Sequence, residues 1–251
     1  MSNSSSFSKK NRIQVQRDTI AYVERNKSKF HTRIIKYGNN MPLLSSSKKF
    51  VTNIIVTQQD TLEAVISSGL PNVGFLIFGN ATNPGGGYAE GCPAQEESIC
   101  RRTNLVNCFS KMSYPVPEFG CFYIKNLGII RDMEKNDYNY FENIITADCV
   151  LSAAYHGPPI GNDNKLCQGY REKTKIKIQQ ILNAFLENEN YNIILGAFGC
   201  GAFGNPVHDI ATIFKEILHS KDYEGRFENV IFAVLKDQSK LNYNTFVEVF
   251  S

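Results

Sequence analysis

The chain has 251 residues, 42% of them hydrophobic, 12% aromatic and 20% charged, which excludes general disorder and is enough for one large domain or two small ones. Its 27 basic and 24 acidic residues leave a formal charge of +3, too slight a bias to name nucleic acid or an anionic membrane as the main partner. No run approaches the roughly 18 apolar residues of a membrane span, and the Ser-rich N-terminus lacks the apolar block of a secretion signal, so the expectation is a protein of the cytoplasm or nucleus.

Residues 1–10 are polar with little to bury and read as a disordered tail ahead of a single domain over 11–251. Ile13, Ile20 and Val23 among charges predict a helical extension over 12–26 that packs by one narrow face. Thr52 to Thr57 reads as a strand. Asp60 and Glu63 stand at capping-box spacing, which predicts a helix from Thr61 to Ser68 that Gly69 ends in the left-handed conformation. Val73 to Phe78 is apolar at both parities, the pattern of a strand buried on two faces. Further strands are expected at Phe119 to Ile124, Asn143 to Leu151, Tyr191 to Ala197 and Asn229 to Leu235. Ile178, Ile181, Leu182, Phe185 and Leu186 mark one helix by their i, i+3, i+4 spacing, and Val207, Ile210, Ala211, Phe214 and Leu218 mark another. Strands alternating with one-faced helices predict a three-layer α/β/α sandwich around a mixed or mostly parallel sheet.

Seven cysteines, at 92, 100, 108, 121, 149, 167 and 200, form an odd count in a chain too large to need stapling, and two lie in apolar strand-like runs. Reduced thiols are expected. Their spacings match no zinc pattern and the four histidines, at 31, 156, 208 and 219, are scattered, so no metal is expected. A Cys nucleophile paired with His156 or His208 is outweighed by the ordinary burial of free cysteine.

In such sheets ligands gather at the loops leaving the carboxyl ends of strands. The first such loop, Gly79 to Glu97, contains Gly85, Gly86 and Gly87, whose bare backbone suits close approach to a ligand and whose N–H groups can cradle an anion; a plain turn is the bland alternative. It leads into Pro93-Ala-Gln-Glu-Glu-Ser98, read as a helix start with Glu96 and Glu97 in its first turn, where acids can do no more than cap. Adjacent carboxylates on a helix point about 100° apart, so they cannot flank a sugar from opposite faces, and one must do the proton work alone. The third loop, Gly196 to Pro206, contains Gly199-Cys-Gly201-Ala-Phe-Gly204, a literal G-x-G-x-x-G. The acid that a dinucleotide fingerprint places about 20 residues on is missing, the next strand ending near Lys236-Asp237, and no Lys-Ser/Thr follows as a Walker A loop needs. A pyrophosphate cradle ahead of a helix survives both objections. The second loop, Ser152 to Tyr170, is read as part of a site's rim, with Tyr155, His156 and Tyr170 taken as packing or surface residues.

Asn83-Pro-Gly-Gly-Gly87 followed by Gln95-Glu-Glu97, together with Ile54 to Ala64 and Leu195 to Pro206, resembles the microbial-type branch of the poly(ADP-ribose) glycohydrolases. The resemblance spans about residues 12 to 236 and is most specific at the two glycine loops. It implies a macrodomain-like fold that binds ADP-ribose and cleaves the ribose–ribose bond of the polymer, without metal or cofactor. By the same resemblance Glu97 is the catalytic acid and Glu96 orients the departing ribose. Asn83 binds the distal ribose, with Gly85, Gly86 and Gly87 passing close to it and to the diphosphate, and Gln95 is counted among the substrate-binding residues. Gly199, Cys200, Gly201, Ala202 and Phe203 wrap the diphosphate, and Asp60 takes the adenine amine. The implied partners are poly(ADP-ribose) or ADP-ribosylated protein, with no membrane, no sequence-specific nucleic acid and a monomeric state. A mono-ADP-ribosyl hydrolase and a non-catalytic ADP-ribose reader remain as alternatives, and a Rossmann oxidoreductase stands last.

Overall fold

The computed structural model describes residues 8–39, 41–42, 50–235 and 241–251. Helix α1 (Lys9–Arg25) is capped by the Ser8 hydroxyl, which accepts from the Asn11 N–H. The expected tail boundary therefore moves: Lys9 and Lys10 are helical, and residues 1–7 lie outside the described residues. Edge strand β1 (Arg33–Tyr37) follows, then β2 (Asn53–Thr57). Next comes α2 (Thr61–Ser68), with both halves of the Asp60/Glu63 capping box formed and Gly69 left-handed at φ +60°. After β3 (Val73–Phe78) the chain makes successive turns before α3 (Gln95–Arg102), whose cap is Ala94, so Pro93 precedes the first helical turn instead of occupying it.

β4 (Cys121–Arg131) and β5 (Tyr140–Ser152) form a long antiparallel hairpin, with a register shift between Ile124 and Leu127. Helix α4 (Gln168–Glu187), β6 (Asn192–Leu195), α5 (Val207–Leu218), β7 (Asn229–Ala233) and α6 (Leu241–Phe250) complete the order. The seven-stranded sheet runs β1-β4-β5-β3-β6-β7-β2. Its β1, β4 and β5 pairings are antiparallel, and β5 through β2 is parallel.

Alternation along the strands splits the core into two layers. Leu76, Ile193, Val230 and Phe232 face α4, α5 and α6. Phe75, Ile77, Ile194 and Ile231 face the layer containing Leu62, Val65 and Ile99 of α2 and α3. Helix α1 packs outside α3, where buried Gln16 and Thr19 donate to the carbonyls of Cys100 and Arg101. This is the expected three-layer α/β/α sandwich with a mixed sheet. Among the described residues no helix is long and apolar enough to cross a membrane, and all seven cysteines are unpaired.

Candidate active site

A cavity of about 680 Å³ opens where β3, β6 and β7 end, and follows α3 from Gln95 to Arg102. That size suits a nucleotide-like ligand. Its wall includes Asp60, Asn80, Gly86, Glu96 and Glu97 on one side and Gly199, Gly201, Ala202 and Phe203 on the other. The carboxylate pair and the second glycine loop, more than a hundred positions apart in the sequence, thus share one space.

Helix α3 is tied to the end of β3 by Gln95. Its amide oxygen accepts from the Phe78 N–H at 2.8 Å, and its amide nitrogen donates to the Leu76 carbonyl at 2.8 Å and the Thr61 hydroxyl at 2.9 Å. Gln95, expected among the substrate ligands, therefore spends its amide on anchoring the helix, although it lies in the cavity wall. With the helix fixed, Glu96 Oε2 accepts from the Asn80 N–H at 2.8 Å and Oε1 from the Gly85 N–H at 3.1 Å. Glu97 Oε1 accepts from the Gly87 N–H at 2.9 Å, and its Oε2 has no bond among the described residues.

These bonds correct one expectation. The N–H groups of Gly85 and Gly87 point at the carboxylates and that of Gly86 at the Asn83 carbonyl, 3.0 Å away, so the first glycine loop is a cradle for two protein carboxylates and not for a phosphate. Gly86 is also where a side chain cannot stand: its φ is +55°, and an added Cβ would lie 2.5 Å from Glu97 Oε1 and 3.4 Å from Glu96 Oε2. Asn83 is exposed and braces this turn, donating to the Gly86 carbonyl at 2.8 Å, while its own N–H donates to the Asn80 side chain. Of Asn83 and the three consecutive glycines, Gly86 alone lines the cavity.

The other glycine loop, Gly196 to Pro206, behaves oppositely. Among the described residues, no bond engages the N–H groups of Gly199, Gly201, Ala202 and Phe203. The loop is held from behind by buried Asn205, whose amide donates to the carbonyls of Tyr155 at 2.8 Å and Gly199 at 3.0 Å. Gly201 has open space where a Cβ would be. The Cys200 side chain packs toward the core, burial pushes its thiol up, and its N–H donates to the Ala197 carbonyl at 3.0 Å, so this residue, expected among the substrate ligands, offers an anion no donor. The segment over 153–167 supports this loop, as expected of a rim: Ala154 lines the cavity and the His156 ring meets Phe203 edge-on at 5.1 Å.

The family model for the microbial-type PARG catalytic domain matches residues 3–147. The chain belongs to the microbial-type poly(ADP-ribose) glycohydrolase (PARG) family. Solved structures share the fold. The PARG of Thermomonospora curvata is 22% identical at a TM-score of 0.78, over 95% of this chain and 99% of that one. Its form bound to the inhibitor ADP-HPD is 21% identical at 0.74, over 94% and 98%. The PARG of Deinococcus radiodurans in complex with ADP-ribose is 23% identical at 0.67, over 80% and 85%. No curated protein matches the chain.

Within this PARG-family site, burial pushes the Glu96 carboxyl up to about 8; the neighbouring Glu97 charge adds to the rise, against the pull of its two N–H donors. Near neutral pH the pair therefore carries less than two full charges. At the other end of α3, Asp60 does two jobs: Oδ1 caps α2 by accepting from the Glu63 N–H at 2.7 Å, and Oδ2 pairs with buried Arg102 at 2.8 Å. Asn80, Arg101, Tyr138 and Asn242 also line the cavity and were missed by sequence reasoning. Only Asn80 carried a signal, being a polar residue just past the end of a buried strand.

Proposed function

We infer that Glu97 is the acid with which this poly(ADP-ribose) glycohydrolase cleaves the ribose–ribose bond. Its carboxyl is pinned by one oxygen to the Gly87 N–H and keeps the other for the cavity, the arrangement proton donation needs. Glu97 gives its proton to the leaving ribose oxygen as that oxygen takes the electron pair of the breaking C–O bond. The resulting carboxylate takes a proton from the water that adds to the anomeric carbon. Neither metal nor cofactor enters this scheme.

The four N–H groups of Gly199, Gly201, Ala202 and Phe203 receive the diphosphate, with Phe203 beside the distal ribose. Glu96 orients the departing ribose through the second lone pairs of oxygens that already accept backbone bonds. Asp60 meets the adenine amine at the Arg102 end, and Asn83 serves the ribose by holding Gly86 in place. The single observation carrying this reading is the shared cavity between the carboxylate pair and the unbonded N–H groups across from it.

The substrate is poly(ADP-ribose) or an ADP-ribosylated protein. Seven unpaired cysteines favour a reducing compartment, cytoplasm or nucleus. Labelled polymer and, separately, mono-ADP-ribosylated protein test the assignment. Free ADP-ribose from polymer is expected; release from the mono-modified protein alone would make the protein a mono-ADP-ribosyl hydrolase, and binding without product would make it a reader.

A further inference from the structure

The formal charge of +3 conceals a strong asymmetry. Of the 27 basic and 24 acidic residues, nine basic and two acidic fall between Lys9 and Lys36, leaving eighteen and twenty-two elsewhere. The N-terminal segment is thus at +7 and the remainder at −4. Helix α1 presents much of this charge outward. Gln16, Thr19 and Val23 are buried against the body. The opposite side carries Lys10, Arg17 and Arg25 beside the acidic Asp18 and Glu24, all exposed, and none of the three basic groups is in an ion pair among the described residues. Their spacing of seven and eight positions holds them in one stripe, about 25 Å long on a helix of 17 residues. Exposed Lys27, Lys29 and Arg33 continue it onto edge strand β1.

The first turns of α1 border the active site. Arg12 of the first turns lies in the cavity wall, and the Lys9 carbonyl packs on Gly91 in the loop that leads to α3. We propose that the outer face of α1 binds the polyanionic strand of the substrate polymer where it continues outside the cavity. This rests on the polymer-cleaving function above. A polymer with a diphosphate in every unit offers the opposite charge at intervals along its length, and contiguity with the cavity favours that partner over nucleic acid.

The test compares wild type with Lys10→Gln/Arg17→Gln/Arg25→Gln on long polymer and on a two-unit oligomer. Losing three contacts to a flexible polyanion should flatten the slope of log(kcat/KM) against log[salt] by about 2 on long chains. It should also lower long-chain kcat/KM at about 50 mM salt roughly tenfold, with the two-unit oligomer changed less than about twofold. Equal effects on both lengths, or none on either, would overturn the proposal. So would weakened DNA binding with long-chain hydrolysis intact, which would give the stripe to nucleic acid. Filter retention of long polymer, measured alongside, separates the two inferences: wild-type retention lost in the triple variant upholds the stripe even if no ADP-ribose is released, an outcome that would sink the hydrolase reading alone.

Discussion

Replacing Gly86 with alanine tests the carboxylate cradle directly. The residue holds φ at +55°, and the new Cβ would sit 2.5 Å from Glu97 Oε1, where ordinary contact needs 3.4 Å. Holding a non-glycine residue in the left-handed region costs about 1–2 kcal/mol, a fall in Tm of roughly 2–8 °C for a domain of this size. The variant therefore stays folded at room temperature. The contact is relieved by moving the carboxyl by about 0.9 Å, and a displacement near 1 Å at the reacting group costs on the order of a hundredfold in rate. Gly69→Ala is the control: its φ is +60° with nothing within 4 Å of the added Cβ, so it should lose similar stability and keep its activity. The assay is ADP-ribose release from labelled polymer at 25 °C beside a thermal melt of each protein. Turnover by Gly86→Ala within about threefold of wild type, given the roughly hundredfold expected, would refute the argument that Glu97 must sit where the bare loop lets it.

The two glutamates should respond differently to amidation. Glu97→Gln can keep its oxygen on the Gly87 N–H, so its melt is unchanged while turnover falls by about 10²–10⁴; Glu96→Gln must turn an NH2 toward the Asn80 or Gly85 N–H and should lose about 1–3 kcal/mol in urea unfolding. Because the Glu96 carboxyl is raised from 4.5 to about 8, the folded protein holds more protons than the unfolded chain across that window. Stability should fall as pH rises through it, by at most about 1.4 kcal/mol per unit, and urea titrations at several pH values in wild type and Glu97→Gln should show the slope smaller in the variant. Asp60→Asn keeps the α2 cap but unpairs Arg102; with the two side chains 19% and 1% exposed, the loss should be about 2–4 kcal/mol, and an unchanged denaturation midpoint would contradict it. Gly201→Asp fits sterically, with nothing within 4 Å of its Cβ, yet places a negative charge beside the unbonded N–H groups. Calorimetry should show ADP-ribose affinity at least about tenfold lower with the melt intact.

Local patterns were legible wherever the physics is local. The Asp60/Glu63 box, the Gly69 stop and the bounds of β3 stand where the residues place them, because a cap, a left-handed stop and a buried strand each depend on a few neighbours. Edge strand β1 was missed: Arg33 to Tyr37 shows no clean alternation, and it is a strand because β4 pairs with it. Helix α6 was also missed. Its Thr, Val and aromatic residues read poorly as helix, yet Phe246 is buried and Phe250 stacks on Phe232 at 4.5 Å, so packing on the sheet overrides propensity. Strand β4 starts at Cys121 instead of Phe119 but runs on past Ile124 to Arg131, and β5 starts at Tyr140, ahead of Asn143, carried by pairing across a bulge that no single strand encodes.

At the active site the division follows the same line. Sequence alone marked two glycine-rich loops after strands, a pair of acids at a helix start and the family to which they belong, because each is a short run whose chemistry is carried by adjacent residues. Only the tertiary structure decided how the loops divide the work: the first turns its N–H groups inward to hold Glu96 and Glu97, and the second leaves its own for a ligand. It also decided that Gln95 is an anchor and that Asp60 serves a buried arginine as well as a cap. Both glycine runs look alike as strings, and the direction an N–H points is settled by what the rest of the fold brings opposite it.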